Sequence, residues 1–192
     1  MRIAINLLFV LLAAFLAYML YGTIKEPVKF QAEKDLRETA VVDKLIKIRK
    51  AQEYYRAITG EFAPNFDTLK QVLNTGNFTI TKVEGDPDDP DGGKVVYTEI
   101  EKSAKDSLAS LNFTFNDLET IPYTNVMTFD IEADTTTYQN TLVHVVQVGT
   151  KRSNFMGEFA DPRFAKYDDS YDPNAIIKFG DMSKPNTSGN WE

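Results

Sequence analysis

The chain has 192 residues, 28 acidic against 21 basic side chains, a single histidine and no cysteine. The missing cysteines exclude disulfides, thiolate zinc sites, iron–sulfur clusters and thiol nucleophiles, and the lone His144 excludes multi-histidine metal centres. A net charge of −7 supplies no bulk field that would attract nucleic acid, so no nucleic-acid partner is expected, while 43% hydrophobic and 12% aromatic residues suffice for a folded core.

From Ile3 to Ile24 no side chain is charged and Asn6 is the one strongly polar residue. As a helix these 22 residues extend about 33 Å, enough to cross a hydrocarbon layer of about 30 Å. A cleavable signal peptide is the rival reading, but its apolar region spans only about 7–15 residues, and no small-x-small cleavage site precedes Tyr18-Met-Leu-Tyr21. Residues 1–24 therefore read as a transmembrane anchor, with Tyr18 and Tyr21 at headgroup level. Lys25, Lys29, Lys34 and Arg37 follow the segment, interleaved with Glu26, Glu33, Asp35 and Glu38. Because long domains translocate largely regardless of charge, the expected location is the inner (cytoplasmic) membrane, single-pass, with the C-terminal domain periplasmic.

Gly22 and Pro27 predict a break, and residues 25–31 a hinge or linker. From Ala32 a helical pattern starts, with Val41, Leu45, Ile48, Ala51, Tyr55 and Ile58 forming one apolar stripe and Asp43, Lys47 and Lys50 on the opposite side. Gly60 is a suitable stop, since a C-cap favours a residue that tolerates the left-handed conformation. Lys44, Lys47, Arg49 and Lys50 read as the solvated face of this helix.

The stretch Ala40–Leu73, with Ala51, Tyr55, Gly60, Phe62 and Leu69 at an Ala-x-x-x-Tyr…Gly-x-Phe…Leu spacing, resembles the start of type IV pilins and type II secretion pseudopilins. The resemblance implies a hydrophobic N-terminal helix running into an amphipathic one, with Phe62 tucked beneath it and a short second helix at Asp67–Leu73. The ending Ser188–Glu192 (SGNWE), EPVKF after the anchor and IPYT at Ile121–Thr124 resemble a family of membrane-anchored bacterial envelope proteins to which no activity is attached.

Beyond Gly76 the pattern changes to strands. Phe78–Val83 and Lys94–Ile100 flank the turn-rich DPDDPDGG and predict a long-looped hairpin. Glu101–Leu111 reads as a short helix and Asn116–Thr120 as a turn. Val126–Ala133 and Thr141–Gly149 read as strands, the second central to its sheet, and Ile176–Phe179 as an edge strand. The expected fold class is α+β, a single N-terminal transmembrane helix and a long amphipathic helix packed on an antiparallel sheet of four or five strands, pilin-like in outline, with residues 32–192 as the extracytoplasmic domain.

Asp86, Asp88, Asp89 and Asp91 form the first candidate metal site, because calcium prefers clustered hard oxygen ligands. Pro87 and Pro90 interrupt the spacing of a calcium loop, so a solvated turn competes with a Ca2+ site. Asp161, Asp168, Asp169 and Asp172 carry the same ambiguity. His144, facing the way of Leu142, Val146 and Val148, reads as a hydrogen-bonded core histidine. Trp191, Asn190 and Glu192 have two readings: they dock the tail on its own domain or bind a partner. No catalytic residue, resident cofactor, phosphate loop or dinucleotide fingerprint is expected.

The function these features point to is a non-enzymatic single-span membrane protein, a structural subunit of a bacterial envelope assembly of the secretion, motility or pilus-like kind. Its partners would be the bilayer, through residues 3–24, and other envelope or inner-membrane proteins, among them further copies of itself. The alternative is a membrane-tethered binding module whose acidic loops hold a cation or an envelope ligand.

Overall fold

The computed structural model describes residues 2–84, 96–109, 117–124 and 126–192, apart from the side chains of Ala4, Glu84 and Val96. Its first element, α1, Arg2–Thr59, is a single helix of 58 residues, about 87 Å long at 1.5 Å per residue. It continues through Gly22 and Pro27, so the break expected at 25–31 is absent from the helix. Proline removes one backbone hydrogen bond and crowds the carbonyl four residues back. Groups from residues 152–171 grip the helix over the same stretch, from Glu26 to Glu38. The large apolar side chains from Ile3 to Ile24 are 49% to 86% exposed, whereas Phe30, Val41, Leu45, Ile48 and Ala51 are fully buried. The stripe read from the sequence is the one that packs, and Phe30, three turns before Val41, extends it.

Gly60 ends α1 with φ 88°, and its N–H donates to the Arg56 carbonyl at 2.8 Å. The chain then folds back under the helix. Buried Gln52 donates to the Ala63 carbonyl at 3.0 Å and accepts from the Ala63 N–H at 2.9 Å, satisfying a buried peptide unit that has no secondary-structure partner. Helix α2, Phe66–Thr75, begins at Asn65, whose side chain accepts from Thr68 N–H at 2.8 Å, and buries Phe66, Leu69 and Leu73. Gly76 terminates it where a Cβ would stand 2.8 Å from Ile58 Cδ1 and 2.7 Å from the Val72 carbonyl oxygen, so the close approach of α2 to α1 requires glycine there.

Five antiparallel strands form two separate sheets rather than one. Strands β1 (Asn77–Glu84) and β2 (Val96–Ser103) make a two-stranded ribbon with Ile80 opposite Ile100. Helix α3, Ala104–Ala109, starts three residues later than the Glu101 expected, because Glu101–Ser103 remain paired with β1. The second sheet has the order β3 (Asp130–Tyr138), β4 (Thr141–Lys151), β5 (Ile176–Gly180), so β4 is central as expected. β3 begins four residues later than Val126: Val126 and Met127 are 85% and 52% exposed and lie outside the ladder. It runs on to a two-residue hairpin in which Gln139 and Asn140 both adopt positive φ. Between β4 and β5 come α4, Arg152–Met156, and two 3₁₀ turns, Gly157–Ala160 and Pro162–Tyr167. Val146, Val148, Ile177 and Phe179 of the three-stranded sheet join the α1 stripe in one core. The result is α+β: a long N-terminal apolar helix packed on an antiparallel sheet, an arrangement compatible with a pilin-like fold.

Candidate functional site

Among the described residues, a cluster of polar side chains forms where α1 leaves its apolar run. There the turns 157–171 wrap the helix around Phe30, whose ring stacks on Phe164 at 5.3 Å between centroids and meets Tyr171 edge-on at 5.0 Å and Phe159 at 5.8 Å. Such aromatic contacts add about 0.5–1.5 kcal/mol each beyond area burial. A shell of polar contacts closes over them. Lys29 pairs with Glu158 at 2.6 Å, Lys34 pairs with Asp168, Arg152 pairs with Glu38 at 2.7 Å, Tyr167 donates to Glu26 at 2.5 Å, and Arg37 donates to the Phe155 carbonyl at 2.8 Å. The Lys34 ammonium, followed by the hydroxyl and N–H of Ser170, holds the Asp168 carboxyl at about 2. Lys29 likewise keeps Glu158 below the usual carboxylate range, while burial pushes the Tyr171 phenol up to about 12, its hydroxyl donating to the Phe159 carbonyl at 2.6 Å. Each of the polar groups just named is engaged by another group of the chain. The arrangement is a clamp that fixes the domain to the helix.

Three of the candidate acids accept hydrogen bonds within their own turns, and Asp169 is exposed. Asp161 accepts from the Arg163 N–H at 2.8 Å, Asp168 from the Ser170 N–H at 2.9 Å, and Asp172 from the Asn174 N–H at 2.8 Å, the local turns short acidic side chains favour. Among the described residues no group of three or more His, Asp or Glu side chains is placed to hold a metal ion. Asp86, Asp88, Asp89 and Asp91 lie outside the described residues.

His144 is half-buried rather than a core residue. It sits opposite Thr135 in the ladder, its Nδ1 3.2 Å from the Thr135 hydroxyl, in a cleft of about 190 Å³ lined also by Glu61, Phe62 and Asp134. The hairpin projects past the core at this end, which leaves Leu142 72% exposed and His144 at the rim.

The tail docks on its own domain. Asn190 accepts from the Lys178 N–H at 3.0 Å and donates to the Ile176 carbonyl at 2.7 Å, Gly189 bridges Phe179, and Glu192 pairs with Arg49 at 2.6 Å. Trp191 packs partly buried against the core. The outer edge of β5 is thereby covered by residues 188–190, which removes an exposed strand edge.

In the sequence Glu26, Lys34, Arg37 and Glu38 read only as charges flanking the apolar segment, and Phe30 and Arg152 had no assigned role. A signal was present for Phe30, because it lies at helical spacing from Val41 on the same face of α1, with the half-buried Lys34 and Arg37 between them; the downstream partners gave none. Comparisons with protein-family models, with curated proteins and with solved structures return no match.

Proposed function

We propose that the chain is a non-enzymatic, single-span membrane protein with a pilin-like outline, acting as a structural subunit of a bacterial envelope assembly, with its domain on the periplasmic side of the inner membrane. The observation that carries this reading is the continuity of α1. One helix is long and apolar enough to cross a membrane over its first half and forms the buried spine of the domain over its second. A domain clamped to its anchor over Glu26–Glu38 transmits position and force, which suits a scaffold, while a tethered binding module needs only a linker. The polar groups at the clamp and the tail are engaged internally, which agrees with a structural role.

The test is extraction of the native protein from its own membranes in mild detergent, followed by size analysis and mass spectrometry of what accompanies it. Co-purification at a fixed ratio with other integral proteins or with further copies of the chain is the expected result. Recovery as a lone monomer contradicts the structural reading and turns attention to a ligand of the acidic loops.

A further inference from the structure

The clamp places one short segment of the domain at the level where α1 leaves its apolar run. Glu26 lies two residues beyond Ile24, and Phe30 six, about 3 and 9 Å further along the helix axis. A headgroup layer is about 5–8 Å deep on each side of the hydrocarbon. The 3₁₀ turn Pro162–Tyr167 is locked to this stretch: Tyr167 donates to Glu26 at 2.5 Å, Lys166 stands 3.9 Å from the same carboxylate, and Phe164 is stacked on Phe30. Its outward residues Asp161, Pro162, Arg163 and Lys166 are exposed.

The charges at this level are not equally committed. Glu26, Glu158 and Asp168 are engaged by Lys166 and Tyr167, by Lys29 and by Lys34, and Asp161 caps its own turn. Asp169 remains an exposed acid. Arg163 and Lys25 make no ion pair among the described residues; their cationic heads lie 4.7 Å from the Phe164 centroid and 5.7 Å from that of Tyr21. Lys166 rests 4.5 Å from the Tyr167 centroid. Aromatic rings collect at headgroup level and long cationic side chains reach toward it, so a cation resting on a ring suits that depth.

We propose that the turn Pro162–Tyr167 is a foot that rests on the anionic headgroups of the bilayer entered by α1, with Arg163 and Lys25 facing lipid phosphate and Lys166 shared between Glu26 and the headgroups. The proposal rests on the reading that Ile3–Ile24 crosses the membrane. It gives the domain a second membrane contact that fixes its height and its tilt relative to the bilayer.

The natural chain has no cysteine, so one engineered cysteine supplies a unique spin-label position. The full chain is reconstituted in vesicles of phosphatidylcholine and phosphatidylglycerol that contain a nickel-chelating lipid, with a label at Leu12→Cys, Asp169→Cys or Thr137→Cys. Thr137 serves as the distant reference, since its hairpin neighbours Ala133–Thr135 lie beside Glu61 and Phe62 at the far end of α1. The expected result is a Leu12 label accessible to oxygen within the hydrocarbon, an Asp169 label strongly relaxed by headgroup nickel, and a Thr137 label at background. Combining Arg163→Glu with Lys166→Gln, a change of three charge units, is expected to lower the relaxation at residue 169 about fivefold or more, at least the weight of one interfacial cation. An Asp169 label at background beside a Leu12 label in the hydrocarbon overturns the foot and leaves the span intact. Relaxation at residue 169 that ignores the charge changes overturns the cation–phosphate contact. A Leu12 label outside the hydrocarbon overturns the span and the foot together.

Discussion

Along Ile3–Ile24 the large apolar side chains of α1 keep about half or more of their surface uncovered, while along Phe30–Tyr55 of the same helix the residues of one stripe lose nearly all of theirs. Backbone geometry is common to both stretches; the pattern of side chains differs. The first stretch is apolar on every side and needs an apolar solvent all round. The second is apolar on one side, charged on the other, and needs a domain on one side and water on the other. Hydrophobic content alone does not separate a membrane span from a domain spine, whereas the angular distribution of that content does.

The largest expected difference between the two stretches comes from truncating one large side chain in each. Phe30→Ala removes the centre of the aromatic clamp and is expected to cost about 3–5 kcal/mol of domain stability. Leu16→Ala, in the exposed stretch, is expected to leave chemical unfolding in detergent unchanged within about 0.5 kcal/mol. Equal losses would break the comparison. Gln52→Ala leaves the Ala63 N–H and carbonyl without partners and is expected to lower the unfolding free energy by about 2–3 kcal/mol, measured in the same titration.

Truncation after Gly189 removes the Asn190 hydrogen bonds, Trp191 and the Glu192–Arg49 pair, and is expected to cost about 2 kcal/mol, read as a lower thermal midpoint. A folded chain of unchanged midpoint would instead assign the tail to partner binding. The smallest effect concerns Asp168. Its carboxyl titrates at about 2 in the folded chain, below the roughly 3.9 of an unfolded aspartate. Its contribution is therefore complete above pH ~4 and fades as the pH falls toward ~2. Asp168→Asn is expected to remove about 1 kcal/mol at neutral pH, after allowance for solvent screening, and to flatten the acid limb of the stability profile.

Much of this architecture was legible in the sequence because it depends on short-range pattern. The spacing from Val41 to Ile58 gave the buried face, Gly60 gave the helix end, the run Leu142–Val148 gave the central strand, and Ile176–Phe179 gave its edge neighbour. What was not legible depends on contacts between distant residues. Pro27 signals a break locally, but Tyr167, Glu158 and Asp168, over 120 residues downstream, hold Glu26, Lys29 and Lys34 in place. The separation of five strands into two sheets follows from which strands pair, β1 with β2 and β4 with both β3 and β5, and local periodicity does not encode that choice of partner. His144 was placed by alternation alone, which locates a face of a strand and not how far along it the core extends.

The central claim is that the membrane run and the domain spine are one uninterrupted helix. The direct measurement is the distance between spin labels at Ala14→Cys and Asp43→Cys in the reconstituted full chain, by pulsed electron resonance. The two positions lie on nearly the same side of α1 and 29 residues apart, which predicts a single narrow distribution centred near ~44 Å. A broad distribution reaching well below that distance would show a hinge at Gly22–Pro27 and contradict the account.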